Sequence, residues 1–159
     1  MHLIRRMTIT LLATLVAVVG LVAATGGASA AKTFPPNFKF TTDRPTLADL
    51  NDIVEFPVET PASDQAKAAN VEGGMNAVIV PKTVYSLGLF RAPRGWNEVT
   101  GPLVQKGNSV TATLNSGSAG RPTIRMTIEF KKLDGNWKLA ASSLCQGVKT
   151  VGLNIYCNS

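Results

Sequence analysis

Glu72 stands in the stretch Lys67-Ala-Ala-Asn-Val-Glu-Gly-Gly74, between an apolar residue and a glycine pair. A carboxylate in that setting invites two readings. In an apolar cavity its pKa would rise and it would serve as a general base, with the Tyr85 hydroxyl as a hydrogen-bond donor to a small hydrophobic substrate. On a surface it would face solvent or cap backbone, and Gly73 or Gly74 would supply the positive φ that ends a helix. Glycosidases need two facing carboxylates, and a second acidic group, Asp49, Asp52 and Glu55, has near-helical spacing. It falls out of phase with Leu47, Leu50 and Val54, and so reads as the solvated face of a helix. Arg121, Arg125, Lys131 and Lys132 are candidates for a basic strip that binds anionic wall polymers, or for a charged edge that discourages strand pairing.

Much chemistry is absent from the outset. The sole histidine is His2, inside an amino-terminal segment with the pattern of a secretory signal. Arg5 and Arg6 precede an uncharged run from Met7 to Ala24, and Ala28-Ser29-Ala30 offers the small residues of a cleavage site, so cleavage is expected before Ala31. An uncleaved anchor is the competing reading, because the run approaches the roughly 20 residues of a membrane span. Without His2, no Ser-His-Asp or Cys-His mechanism and no His-containing zinc site is available. Gly73-Gly74 lacks the context of a phosphate cradle. No metal and no cofactor is expected.

Loss of Arg5 and Arg6 leaves 14 basic against 10 acidic residues, a balance of +4 in place of +6. That charge is too diffuse for a nucleic-acid binder. Cys145 and Cys157 are the only cysteines, and in an exported chain they are expected to pair and pin the carboxy terminus.

The elements that must position these groups change character near Gly95. Ala31 to Asp43 reads as an extended arm with Phe34, Phe38 and Phe40, and residues 44–159 as one α+β domain. Thr46 and Asp49 open a first helix, which Pro57 is expected to stop. Ser63 caps a second, Asp64 to about Val71, and Pro81 starts a third. Strands follow: an interrupted one over Trp96 to Gln105, then Val110 to Leu114, Ile124 to Phe130, and Trp137 to Ala141 after the Asp134-Gly135 turn. Ser116 to Gly120 reads as a flexible hairpin loop. Trp96 and Trp137 are assigned to the core. About three amino-terminal helices should therefore pack on one face of a curved antiparallel sheet of about four strands.

Pro45-Thr46-x-x-x-Leu50, Lys67-x-x-x-Val71-Glu72-Gly73-Gly74 and Asp134-Gly135-Asn136-Trp137-Lys138-Leu139 together resemble the low-molecular-weight secreted antigens of mycobacteria and related actinobacteria, over roughly Arg44 to Leu144. The resemblance implies a cone-shaped fold similar to nuclear transport factor 2 or cystatin, an extracellular or envelope-associated location, and no established catalytic residues. The expected function is that of an exported, non-enzymatic protein that binds a small apolar ligand or a cell-envelope partner. The alternative is a cone-fold enzyme with Glu72 as its base.

Overall fold

The computed structural model describes residues 32–157. The expected signal segment lies outside them.

Among the described residues, four α-helices and one sheet surround a single apolar core. Helix α1, Leu47–Glu59, begins with a capping box: the Asp49 N–H donates to Thr46 Oγ1, and the Thr46 N–H donates back to the Asp49 carboxylate. Leu50, Ile53, Val54 and Phe56 form its buried stripe. The helix runs through Pro57, which was expected to stop it. In the last turn the ring costs only one intrahelical bond, and the Thr60 hydroxyl donates to the Phe56 carbonyl to close the end. Helix α2, Asp64–Ala68, is capped by Ser63 and stops earlier than expected. Gly73, with φ +90°, does not end it; it opens a 3₁₀ turn, Gly74–Asn76. Helix α3, Ile79–Ser86, starts two residues before Pro81, whose missing N–H is harmless within a first turn.

The strands β1, Gly95–Lys106, β2, Ser109–Ser118, β3, Ile124–Leu133, and β4, Asn136–Leu139, form an antiparallel meander in that order. The period-two pattern holds: Met126, Ile128 and Phe130 are buried while Arg125 and Thr127 face solvent. The β1–β2 register shifts between Thr100 and Val104, at the Gly101-Pro102 interruption. Asp134 and Gly135 both take positive φ, as a two-residue hairpin of this twist requires. Ser116 to Ser118 belongs to β2 and not to a loop, because Ser116 donates to Asn97 Oδ1 at 2.7 Å and Gly117 is covered by Trp96.

A fourth helix, α4, Ala141–Thr150, replaces the expected end of the last strand. Ala141 is its first residue. Leu144 and Val148 are buried one turn apart. The arm runs beside β4, with the Phe40 N–H donating to Asn136 Oδ1 and the Trp137 N–H to the Phe40 carbonyl. Phe34, Phe38 and Phe56 pack ring to ring.

Cys145 and Cys157 are bonded, as was expected of the only two cysteines in the sequence. The bond ties the tail to α4, and Leu153, Ile155 and Tyr156 pack on the core. Replacing both cysteines with serine should lower stability by about 3 kcal/mol through loop-closure entropy. A melting curve of the double variant should show a midpoint lowered by roughly 10 °C at unchanged secondary structure.

Candidate functional site

Two places gather the residues of interest: the segment around Glu72, and a cavity enclosed by the helices and the inner face of the sheet.

Glu72 sits beside the start of α4, whose own cap residue, Ala140, has no side chain to satisfy the first N–H groups. The Ala141 N–H donates to Glu72 Oε2 at 2.8 Å, and Lys131 Nζ donates to both carboxylate oxygens at 2.9 and 3.1 Å. Burial pushes the Glu72 carboxyl up, but the Ala141 hydrogen bond and the Lys131 ammonium together outweigh it, so its pKa lies below the ordinary glutamate value. The Lys131 pKa is correspondingly raised, through the same hydrogen bond. This is the reverse of the raised pKa that a general base in an apolar pocket would need. A carboxylate at a helix amino terminus is also favoured by the helix dipole.

Lys67, five residues earlier, is 2% exposed. Its ammonium donates to the Pro57 carbonyl at 2.9 Å, in the last turn of α1, and lies 4.3 Å from the centroid of the Tyr85 ring. Burial lowers the Lys67 pKa to about 8, with the nearby Arg91 and Lys82 charges acting in the same direction and Asp64 opposing them. The Arg91 guanidinium also lies on the Tyr85 ring, at 4.4 Å. Tyr85 is therefore a cushion for two cations, and it does not border the cavity.

The other candidate groups separate. Asp49 caps α1, and Asp52 pairs with Lys32. Glu55 and Glu59 are half-buried, and burial raises both pKa values against hydrogen bonds from Asn51 and Asn97. The expected basic strip does not assemble. Lys131 is bound to Glu72, and Lys132 points to the opposite face, where it pairs with Asp43 at 2.6 Å. Arg125 is six positions from Lys131, about 20 Å along an extended strand. Arg121 lies beyond β2, in a surface cleft with Arg94 and Trp96.

The cavity has a volume of about 80 Å³. Its wall includes Val54 of α1, Val84 of α3, Met126 and Ile128 of β3, and Leu144 and Val148 of α4. Among the described residues only Asn97, Ser116 and Ser143 bring polar side chains to it, and each is engaged. The Asn97 amide accepts from Ser116 and donates to the Phe90 carbonyl at 2.7 Å, while Ser143 Oγ accepts from the Glu129 N–H at 2.8 Å. None of the described titratable side chains lines it. Among the described residues no cluster of three His, Cys, Asp or Glu side chains is placed to hold a metal.

Residues 43–155 match the family described as low molecular weight antigen MTB12, C-terminal domain. The chain belongs to this family. The matched span takes in α1 to α4, the Lys67–Gly74 segment and Cys145, while Cys157 lies just beyond it. No curated protein matches the chain. Among the described residues of this MTB12-family chain, no helix is long and apolar enough to cross a membrane.

Sequence reasoning missed α4 and with it the cavity's fourth wall. The signal was the i, i+4, i+7 spacing of Leu144, Val148 and Val151.

Two titrations distinguish these roles. Glu72→Gln should cost about 1–2 kcal/mol at pH 7. Because the folded pKa is depressed, the wild-type advantage is present above the unfolded value of 4.5 and fades as pH falls through the folded value. Chemical denaturation of both proteins from pH 7 to pH 3 should show the two curves converging. For Lys67 the unfolded chain holds more protons between about 8 and 10.5, so wild-type stability should gain over that interval relative to Lys67→Met.

Proposed function

We propose that this MTB12-family protein is exported and acts by binding, with no chemistry of its own, and that its interior cavity takes a small apolar group. The observation that carries this reading is the wall of the cavity: it is apolar, and every polar side chain on it is already hydrogen-bonded. A reaction would need a free acid, base or nucleophile there. Glu72, the carboxylate expected as a general base, is spent on Lys131 and α4.

Export is supported by the amino-terminal pattern Arg5-Arg6, Met7–Ala24 and Ala28-Ser29-Ala30, and by the disulfide, which belongs to an oxidising compartment. The description of the matched family as an antigen agrees with a surface or secreted location.

Size limits the ligand. A dry cavity of about 150 Å³ holds benzene, so about 80 Å³ suits a short aliphatic group or the end of a longer chain. Leu114, Ile124, Gly147 and Val151 line the cavity and are only half-buried, so the opening lies between the start of β3 and the later turns of α4. A Cβ built on Gly147 would meet nothing within 4 Å, which leaves that side of the cavity clear.

Xenon is a suitable probe, since it enters dry apolar cavities without hydrogen bonding. Under xenon pressure the Met126 and Ile128 methyl resonances should shift and saturate, and Gly147→Leu should abolish the shift by filling the opening. Unmoved methyl resonances in the wild-type protein would refute an accessible apolar site.

A further inference from the structure

The face of the sheet turned away from the helices carries one exposed aromatic side chain. Trp96, expected in the core, is 45% exposed, whereas Trp137 is fully buried. Its phase explains this: Val99 of β1 faces the core, so Trp96, three residues earlier, faces out. Cross-strand pairing sets Trp96 opposite Gly117, where an added Cβ would fall 2.5 Å from the indole Nε1. The absent side chain lets the indole lie on the β2 backbone. Gly95 plays a related part, because a Cβ there would stand 2.4 Å from the Gly117 carbonyl oxygen. The ring is thus held as a fixed platform at little entropic cost to any ligand that stacks on it.

A cleft of about 310 Å³ opens around this ring, bordered by Pro93, Arg94, Arg121 and Thr123. That volume is at the lower end of the roughly 300–1,000 Å³ of small-molecule sites. Neither Arg94 nor Arg121 has a carboxylate partner among the described residues. The same is true of Arg125, further along the outer face. The surrounding surface is rich in hydroxyl and amide groups: Thr100, Thr113 and Thr127 lie in one cross-strand row, and Asn115 pairs with Arg125 in the next. Glu98 is the acid nearest in register, opposite Asn115.

These features select among occupants. A protein partner would need about 800 Å² with an apolar centre, and here a single indole stands among polar groups. A second copy added along β1 would need that strand's free N–H groups, yet the Val99 N–H is already held by Asn51 Oδ1 at 2.9 Å. The face of a sugar ring fits better. Its C–H bonds carry partial positive charge and pack on the electron-rich indole face, while its hydroxyls suit a surface of Thr and Asn. Two unpaired guanidinium groups beside the ring add a fork geometry for carboxylate or phosphate.

We propose that the Trp96 cleft binds an acidic polysaccharide, with a sugar ring stacked on the indole and its carboxylate or phosphate held by Arg94 and Arg121. The site is separate from the cavity, and either reading can fail without the other.

Because Trp137 is buried, a ligand-induced change in tryptophan emission reports on Trp96. The protein is titrated with oligogalacturonate, with a neutral dextran oligomer of similar length, and with polyglutamate. Oligogalacturonate should bind, and both of the others should bind about tenfold or more weakly, one for want of charge and the other for want of a ring. Trp96→Ala, followed by calorimetry, should lose about tenfold or more in affinity, with Trp96→Phe in between. Arg94→Gln combined with Arg121→Gln should lose about tenfold and flatten the salt dependence. Equal binding of polyglutamate and oligogalacturonate, undiminished binding by a folded Trp96→Ala protein, or no binding of oligogalacturonate at all would each overturn the proposal.

Discussion

The architecture depends on one short segment that supplies opposite charges to the ends of two helices. Helix α1 ends with no basic residue of its own, and Lys67 brings an ammonium to its Pro57 carbonyl. Helix α4 begins with no side-chain cap, and Glu72 brings a carboxylate to its Ala141 N–H. Between them, the Asn70 side chain donates to the Phe38 and Ala66 carbonyls, and in a parallel bridge between Val71 and Leu139 the Leu139 N–H donates to the Asn70 carbonyl while the Glu72 N–H donates to the Leu139 carbonyl. Arm, first helix, last strand and last helix are therefore located by residues 67–72. A buried lysine is costly, and the Tyr85 ring and the Pro57 carbonyl are what make it tolerable here.

That arrangement decides what the interior can do. Ionisable groups are consumed in holding helix ends or stay behind the wall, as Glu59 does through Asn97. What remains for the cavity is an apolar surface with its few polar atoms already paired. The inner face of the sheet offers an apolar wall, and the outer face carries the Trp96 ring and arginines that have no carboxylate partner among the described residues. One sheet thus presents two surfaces of different chemistry, as the alternation of side chains along each strand permits.

Much of the frame was legible. The capping box of α1, the alternation of β2 and β3, the Asp134-Gly135 turn and the cysteine pair each rest on local physics, and each appears in the fold. The illegible parts rest on contacts distant in sequence. Helix α4 has a weak beginning and a glycine inside it, and its cap is 69 residues away. A backbone-capping role for Glu72 was legible, but which backbone it caps depends on that helix. Of the basic strip, alternation along a strand could have set Lys132 apart from Arg125 and Lys131, whereas the pairing of Lys131 with Glu72 rests on a contact 59 residues apart. The phase of Trp96 was obscured by Gly101-Pro102, which broke the alternation of β1 before it could be counted.

The bond between Cys145 and Cys157 encloses the exposed Lys149. A trypsin-like nick after that residue would leave the tail covalently held, with Tyr156 still lodged against Gly73. Such a clipped molecule would migrate as intact until a reductant separated its pieces, so the carboxy terminus can tolerate proteolytic attack without being shed.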